Sequence, residues 1–384
     1  MKSCFKNLLG VFIAFIAFSI GFSLFIGSLL NSEDLLYRIL VIVATILLIV
    51  LIHNLFWQER RTKSFYLIIG CMLGASLIYI ATVEINQAYH YNMPSVGNEV
   101  DLRKYEPFEK DTKAAILNEP STLKLAFDLP KIDGATALYP LYSAFAQSTY
   151  AKNAYKQDDY SVLCTNTVGA YARLIAGDVD IIFVAGPSKE QRQMAEDAGV
   201  KFKMTQIGRE AFVFFVNAKN PVNELSTDDI KKIYSGSSTN WADFGGKNRK
   251  IRAFQRPENS GSQTAFIKFM GDTTLMNPPK EDVATGMGDM VKNVAAYKNY
   301  DNAIGYSFLY YASEMVADKK IKLLSIDGVA PTRENVANKK YPYASQFYAI
   351  TTTTKNPNVE KFIEWILSPQ GQYLVEKTGY TSIN

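Results

Sequence analysis

Apolar residues are concentrated near the amino terminus of the chain. Three long, nearly uninterrupted apolar runs occupy about 8–30, 36–57 and 65–84. A helix needs about 20 consecutive apolar residues to cross a bilayer. The runs therefore predict an all-α membrane region of three transmembrane helices over residues 1–85.

The charged residues between these runs predict an orientation. Two lysines precede the first run, Glu33 and Asp34 follow it, and Arg60, Arg61 and Lys63 separate the second run from the third. Because positive charge favours the cytoplasmic side, the pattern predicts a multi-pass protein of the cell membrane that contacts the lipid bilayer. Its amino terminus would be cytoplasmic and its carboxy-terminal domain extracellular.

Cys71 offers an alternative to the third span. The segment "LIIGC" that ends at Cys71 is similar to a bacterial lipoprotein cleavage box, which would make this cysteine a lipidated amino terminus. The apolar run continues beyond it, which favours an ordinary cysteine within a span. Under either interpretation, the rest of the chain is tethered to the membrane and faces outward.

The pattern changes after the third run. Residues 86–119 are mixed in polarity, with prolines and scattered charge, and predict an extracellular linker. From about residue 120, short apolar segments alternate with amphipathic helical patterns, which is typical of an α/β domain. Predicted strands include "TLKLAF" and "DIIFVAG", and a predicted helix starts at the capping residue Ser226.

Composition excludes several kinds of chemistry. Lys and Arg number 41 against 37 Asp and Glu, without a basic stripe, so nucleic acid is not an expected partner. The two histidines and three cysteines do not stand at metal-ligand spacings. We therefore expect no metal, no cofactor and, since no nucleophile-elbow pattern is present, no enzymatic activity.

Three turns share a design suited to anions. The segments "DGATALYP" (133–140), "TNTVGAYARL" (165–174) and "RPENSGSQTAF" (256–266) each place small and hydroxyl residues between a predicted strand and a predicted helix. Helix amino termini present free N–H groups and partial positive charge. One such turn is usually plain capping, but three turns together with Arg256 favour an oxyanion site.

These turns also carry a resemblance to a known family. With "AGDVDIIFVAG" (176–186), "AIGYSF" (303–308) and "FIEWILSPQGQYLVEKTGY" (362–380), they make the chain from about residue 121 resemble the phosphate-binding, substrate-binding proteins of bacterial ABC transporters. The resemblance implies a periplasmic-binding-protein-like fold of two α/β lobes, joined by two crossing strands around a ligand cleft. It places lobe one at 120–217 plus 346–384 and lobe two at 218–345.

The resemblance also implies a ligand and its contacts. The expected function is that of a membrane-anchored extracellular protein that captures an oxyanion, phosphate, for uptake through a partner permease. The implied ligand-binding residues are Thr136, Ala137, Leu138, Thr167, Arg256, Ser260, Gly261 and Ser262.

The chain departs from the family at two positions. Ala185 and Gly186 stand where phosphate binders carry an acidic residue that accepts a proton from the ligand, and Leu138 stands where many relatives carry a hydroxyl. Asp133 and Glu258 are candidate replacements for the acid. The departures keep an alternative function open, a membrane sensor or scaffold in which a phosphate-binding-like domain has altered or lost its ligand specificity.

Overall fold

The computed structural model describes residues 2–30, 35–57, 63–91, 100–157, 161–279, 282–296 and 301–383. The chain divides into two compact units, Met1–Val96 and Gly97–Asn384. Each is described by itself.

The first unit consists of helices. They are α1 (Lys2–Leu30), α2 (Leu35–Trp57) and α3 (Lys63–Tyr91). Helix α2 packs against both of the others. Val41 and Ala44 of α2 form a small buried cluster with Ile80 of α3. Cys71 lies within α3 as an exposed free cysteine.

The predicted transmembrane region is wrong. Helices occur at all three apolar runs. Over the ranges given above, no helix combines sufficient length with sufficient apolar character to span a bilayer. The predicted spans at 8–30, 36–57 and 65–84 are therefore withdrawn, and with them the multi-pass topology and the bilayer contact.

The second unit is built from strands and helices in alternation. Its strands are β1 (Ile132–Gly134), β2 (Ile181–Ala185), β3 (Lys203–Asn217), β4 (Glu224–Leu225), β5 (Arg252–Ala253), β6 (Ala303–Phe308), β7 (Ile321–Leu323), β8 (Ser325–Ile326) and β9 (Ala344–Thr351). Its helices are α4 (Tyr139–Thr149), α5 (Lys152–Gln157), α6 (Asn166–Ala176), α7 (Lys189–Asp197), α8 (Thr227–Ser235), α9 (Gly261–Met270), α10 (Met287–Ala296), α11 (Arg333–Ala337), α12 (Val359–Leu367) and α13 (Pro369–Thr378).

One long strand joins the two halves of the main sheet. The strand order is β1-β2-β9-β3-β6-β5, with β7 also paired to β3. From Lys203 to Ala211, β3 pairs antiparallel with β9. From Phe212 onward its partners are β6 and β7. A change of partner along one continuous strand lets the same backbone belong to two separately packed layers.

Each half of the sheet has its own hydrophobic core. One core gathers Phe145 of α4, Phe183 of β2 and Phe362 of α12. The other gathers Phe214 of β3 and Phe266 of α9 with their neighbours. Helices and strands that bury apolar faces in separate cores form separate lobes, so the predicted two-lobed α/β architecture is confirmed. The exact boundaries at 217/218 and 345/346 stay a prediction.

Candidate oxyanion site

The first turn connects β1 to α4. Gly134 ends β1 against β2, and a Cβ atom there would lie 2.4 Å from the carbonyl oxygen of Phe183. A short 3₁₀ turn, Thr136–Leu138, then leads into the helix. The side chain of Leu138 is buried in the core of lobe one, and its amide donates to Ala135 O at 2.8 Å. Leu138 therefore contributes packing, whereas the hydroxyl of the half-buried Thr136 is the polar side chain of this turn.

The second turn is held by a buried carboxylate. Asp133 is fully buried, and its Oδ1 accepts hydrogen bonds from the amides of Gly134 at 2.7 Å and Thr165 at 2.8 Å. Its Oδ2 accepts from Thr165 Oγ1 at 2.5 Å and lies 3.6 Å from Arg173 Nε. The two contacts with Thr165 fasten the start of α6 to the end of β1, because they join groups 32 residues apart in sequence. They thereby fix the position of Thr167 in the first turn of α6.

The third turn has a rigid base. Ser260 caps α9 by accepting from the amide of Gln263 at 3.3 Å. The Arg256 amide donates to Gln263 Oε1 and to Tyr306 Oη, each at 3.0 Å. The Tyr306 ring stacks on Phe266, with centroids 4.3 Å apart and an interplanar angle of 16°. Both ends of the loop are thus anchored to the lobe-two core.

The third turn contains two buried hydrogen-bond donors. Among the residues described, neither Arg256 Nε nor Ser262 Oγ has a hydrogen-bond partner, although Arg256 Nη1 donates to Ala284 O at 3.2 Å. Burial lowers the pKa of the Arg256 guanidinium, but its ordinary value is so high that the group stays charged. Buried donors left unpaired are costly. A cation and a hydroxyl in this condition can be satisfied by the oxygens of an anion.

The second and third turns meet across the two lobes. A Cβ atom on Gly261 would lie 2.8 Å from Thr167 Oγ1, closer than side-chain atoms normally approach. Glycine at this position therefore lets the turns touch. Ala137 of the first turn packs with the core of lobe two. The structure thus places Thr167 of the second turn against Gly261 of the third, and Ala137 of the first turn against the core of lobe two.

The position at which the resemblance implies an acid is occupied by Ala185, which has no carboxylate. The carbonyl oxygen of Ala185 accepts a hydrogen bond from Tyr171 Oη at 2.9 Å. Asp133 already accepts three hydrogen bonds. Glu258 is exposed.

One acid that the sequence did not single out contributes to the electrostatics of Arg256. Burial lowers the pKa of the guanidinium, and this effect is opposed by Tyr306, by Tyr311 and, after them, by Asp289, which lies in the first turn of α10. Its Oδ2 accepts from the Gly286 amide at 2.7 Å and from Thr285 Oγ1 at 2.9 Å. Gln263 and Tyr306, which hold the Arg256 backbone, were also not identified from the sequence.

Comparisons with known proteins agree with this architecture. The chain is 28% identical over 253 residues to the phosphate-binding protein PstS of Bacillus subtilis (strain 168), a match that covers 66% of this chain and 80% of that protein. It is 26% identical over 227 residues to the phosphate-binding protein PstS of Staphylococcus aureus (strain USA300), covering 56% and 67%.

Solved structures show the same fold. A protein from Clostridium perfringens, described as a phosphate ABC transporter substrate-binding protein with bound phosphate, is similar with a TM-score of 0.51 and 26% identity, over 68% of this chain and all of that one. An ABC-type phosphate transport receptor from Vibrio cholerae is similar in fold, with a TM-score of 0.50 and 21% identity over 65% and 98%. A family model described as a PBP superfamily domain matches residues 127–370. Because this match spans more than half of the chain, the chain belongs to the PBP superfamily.

Proposed function

We propose that this protein captures an oxyanion, phosphate, between its lobes and delivers it to the permease of an ABC transporter. The observation that carries the proposal is the pair of buried, unpartnered donors, Arg256 Nε and Ser262 Oγ, within the part of the chain that the structure describes. They belong to the turn that meets Thr167 of the other lobe. The relatives are named as phosphate-binding proteins, and the prediction that the chain is not an enzyme is confirmed by this family membership.

The two lobes would contribute differently to binding. Lobe two would supply the positive charge of Arg256 and the hydroxyls of Ser260 and Ser262. Lobe one would supply Thr136 and Thr167. Hydrogen bonds that join a charged group to its partner are about twice as strong as neutral ones, so lobe two would provide most of the binding free energy.

Ala185 suggests how the site selects its anion. A carboxylate beside the ligand can accept a proton from monohydrogen phosphate and repels sulfate, which has no proton to donate. With alanine at the family's acidic position, this proton acceptor is absent from that position. We therefore expect weaker discrimination between phosphate and sulfate than a carboxylate would give.

The test is a calorimetric titration of the full chain with phosphate and, separately, with sulfate. Bound ligand is first removed by unfolding and refolding. We expect phosphate to bind with a dissociation constant in the submillimolar range, about 5 kcal/mol or more of binding free energy. An absence of heat with both anions would refute the proposal and favour the alternative of a sensor or scaffold that has lost its ligand.

A further inference from the structure

The helix after β2 begins with a capping box. Ser188 Oγ accepts from the amide of Gln191 at 3.1 Å, and Gln191 Oε1 accepts from the amide of Ser188 at 2.9 Å. This pair satisfies two amides at the start of α7. Gln191 is 3% exposed, unlike most of its neighbours on this helix. A glutamine buried at the start of a polar helix indicates a further contact for its amide group.

That contact reaches the other lobe. Gln191 Nε2 donates to the backbone oxygen of Asn259 at 3.1 Å. In the opposite direction, Asn259 Nδ2 donates to Glu190 Oε2. Asn259 has φ of 63°, in the left-handed region that asparagine tolerates better than most residues. Two adjacent residues of α7 therefore hold one residue of the third turn through hydrogen bonds in both directions.

We propose that Gln191, Glu190 and Asn259 form a latch between the lobes that sets how long the bound oxyanion remains. The inference rests on the proposed function. Asn259 directly precedes Ser260, Gly261 and Ser262, so a latch on its backbone holds the anion-binding turn against lobe one. These three are positioning residues, since they act on the ligand through the third turn.

The latch has a distinct kinetic consequence. Its hydrogen bonds join the two lobes, so they must break before a bound ligand can leave, whereas the ligand enters while the lobes are apart. Losing them should therefore accelerate dissociation and leave association nearly unchanged. A residue that only stabilised α7 would not produce this separation of the two rates.

Gln191→Glu separates the latch from the capping box. The carboxylate still accepts from the amide of Ser188, so the cap is kept. It cannot donate to Asn259 O, and it places a negative charge beside Glu190. Gln193→Glu is the matched control: it makes the same substitution on the same helix at an exposed residue whose side chain donates to Asp197 within α7.

A second variant removes the other half of the latch. Asn259→Gly deletes the hydrogen bond to Glu190 but keeps the backbone oxygen that Gln191 uses, and glycine tolerates the positive φ. It should have a smaller effect than Gln191→Glu, because only one hydrogen bond is lost and no charge is added.

Association and dissociation of inorganic phosphate are measured by stopped flow on the full chain. We expect Gln191→Glu to raise the dissociation rate by about tenfold or more, the equivalent of one lost hydrogen bond or more, with the association rate within about twofold of the original. Asn259→Gly should raise the dissociation rate by a few fold, and Gln193→Glu should leave both rates unchanged. Equal dissociation rates for the original chain and Gln191→Glu would overturn the latch.

Hydrogen exchange separates failure of the latch from failure of the proposed function. If the original chain does not bind phosphate, the proposed function fails, and the latch is decided by amide exchange in 256–263. Faster exchange there in Gln191→Glu than in Gln193→Glu supports a latch acting on the opposite lobe. Equal exchange in the two variants overturns it.

Discussion

The second and third turns lie against each other but are organised in opposite ways. In the second turn, the Thr165 amide and hydroxyl both donate to Asp133. In the third, within the described residues, Arg256 Nε and Ser262 Oγ lack any acceptor. Under the proposed function, the second turn is a rigid part of the site, and the third turn compensates the ligand's charge.

The cost of the third turn explains why its base is so well anchored. Each buried donor without a partner costs about 1–3 kcal/mol. Stacking of Tyr306 on Phe266 and the two hydrogen bonds of the Arg256 amide hold the loop despite that cost. A ligand that satisfies the free donors would recover it, which favours binding.

The largest expected effect tests the role of the charged residue in the third turn. Arg256→Ala removes the cation of the third turn and should weaken phosphate binding by about a thousandfold, as expected for loss of a charge partner of a buried anion. Calorimetric titration measures the change. Arg249→Ala is the control, because this half-exposed arginine of lobe two pairs with Asp301 at 2.9 Å instead. Affinities within threefold of one another in the two variants would contradict the assignment.

The next effect concerns the second turn. Asp133→Asn removes the charge beside Arg173 and one acceptor for Thr165, so buried donors lose their partner. We expect the free energy of unfolding to fall by about 2–3 kcal/mol, measured by urea denaturation. Asp178→Asn, at an exposed position of the same lobe, should change it by less than about 0.5 kcal/mol. If Asp133→Asn were equally mild, the second turn would not depend on this carboxylate.

A third variant should move binding and stability in opposite directions. Ser262→Ala deletes a hydroxyl that lacks a partner in the described structure, so we expect the free energy of unfolding without ligand to stay level or rise slightly. Phosphate affinity should fall about tenfold, or about 1.4 kcal/mol. Ser307→Ala is the matched control, since Ser307 is also fully buried and its hydroxyl lacks a partner among the described residues, but it lies on β6. Equal affinity losses in both variants would contradict a direct contact with Ser262.

The fold was predictable where a local pattern carried enough information. Strand β2 is a continuous apolar run, and α8 is capped by Ser226, whose hydroxyl accepts from the Asp229 amide at 3.1 Å. The alternating segment "TLKLAF" instead contributes only a single bridge, between Leu125 and Tyr150. Alternation reports which faces can be buried, but a strand also needs a neighbour with which to form a ladder. The prediction from the three apolar runs was also correct only in part, because the runs form helices but not membrane spans.

The candidate site, too, could be predicted from the sequence only in part. Arg256 and Ser262 were identifiable because they stand in one short motif with the cap of α9. Gln191, which bonds to Asn259 from α7, and Asp289, whose charge acts on Arg256 from α10, were not, because no local pattern marks them. Sequence patterns therefore pointed to the candidate anion-binding turn, whereas the contacts that hold it required the fold.

Glu210 provides the last test. It is a buried acid like Asp133, but its carboxylate is stabilised by fewer hydrogen bonds. It lies on β3 just before that strand changes partners, accepts the Tyr310 amide at 2.5 Å, and is 6% exposed. Burial raises the pKa of Glu210 to about 8, although Tyr310 N–H and Arg333 oppose the shift; Tyr380 also lies within electrostatic range. The folded state therefore keeps a proton that the unfolded chain loses near its ordinary value of 4.5.

Between pH 4.5 and about 8, stability should consequently fall as pH rises, because the folded state holds the extra proton. Glu210→Gln removes this titration, so the difference in unfolding free energy between variant and original chain should shift in favour of the variant by about 1 kcal/mol from pH 7 to pH 8. Urea denaturation across this range measures it, with Glu224→Gln, at an exposed position on β4, as the control. If the difference in unfolding free energy does not vary with pH, Glu210 is ionised in the folded protein and its charge is stabilised there despite burial.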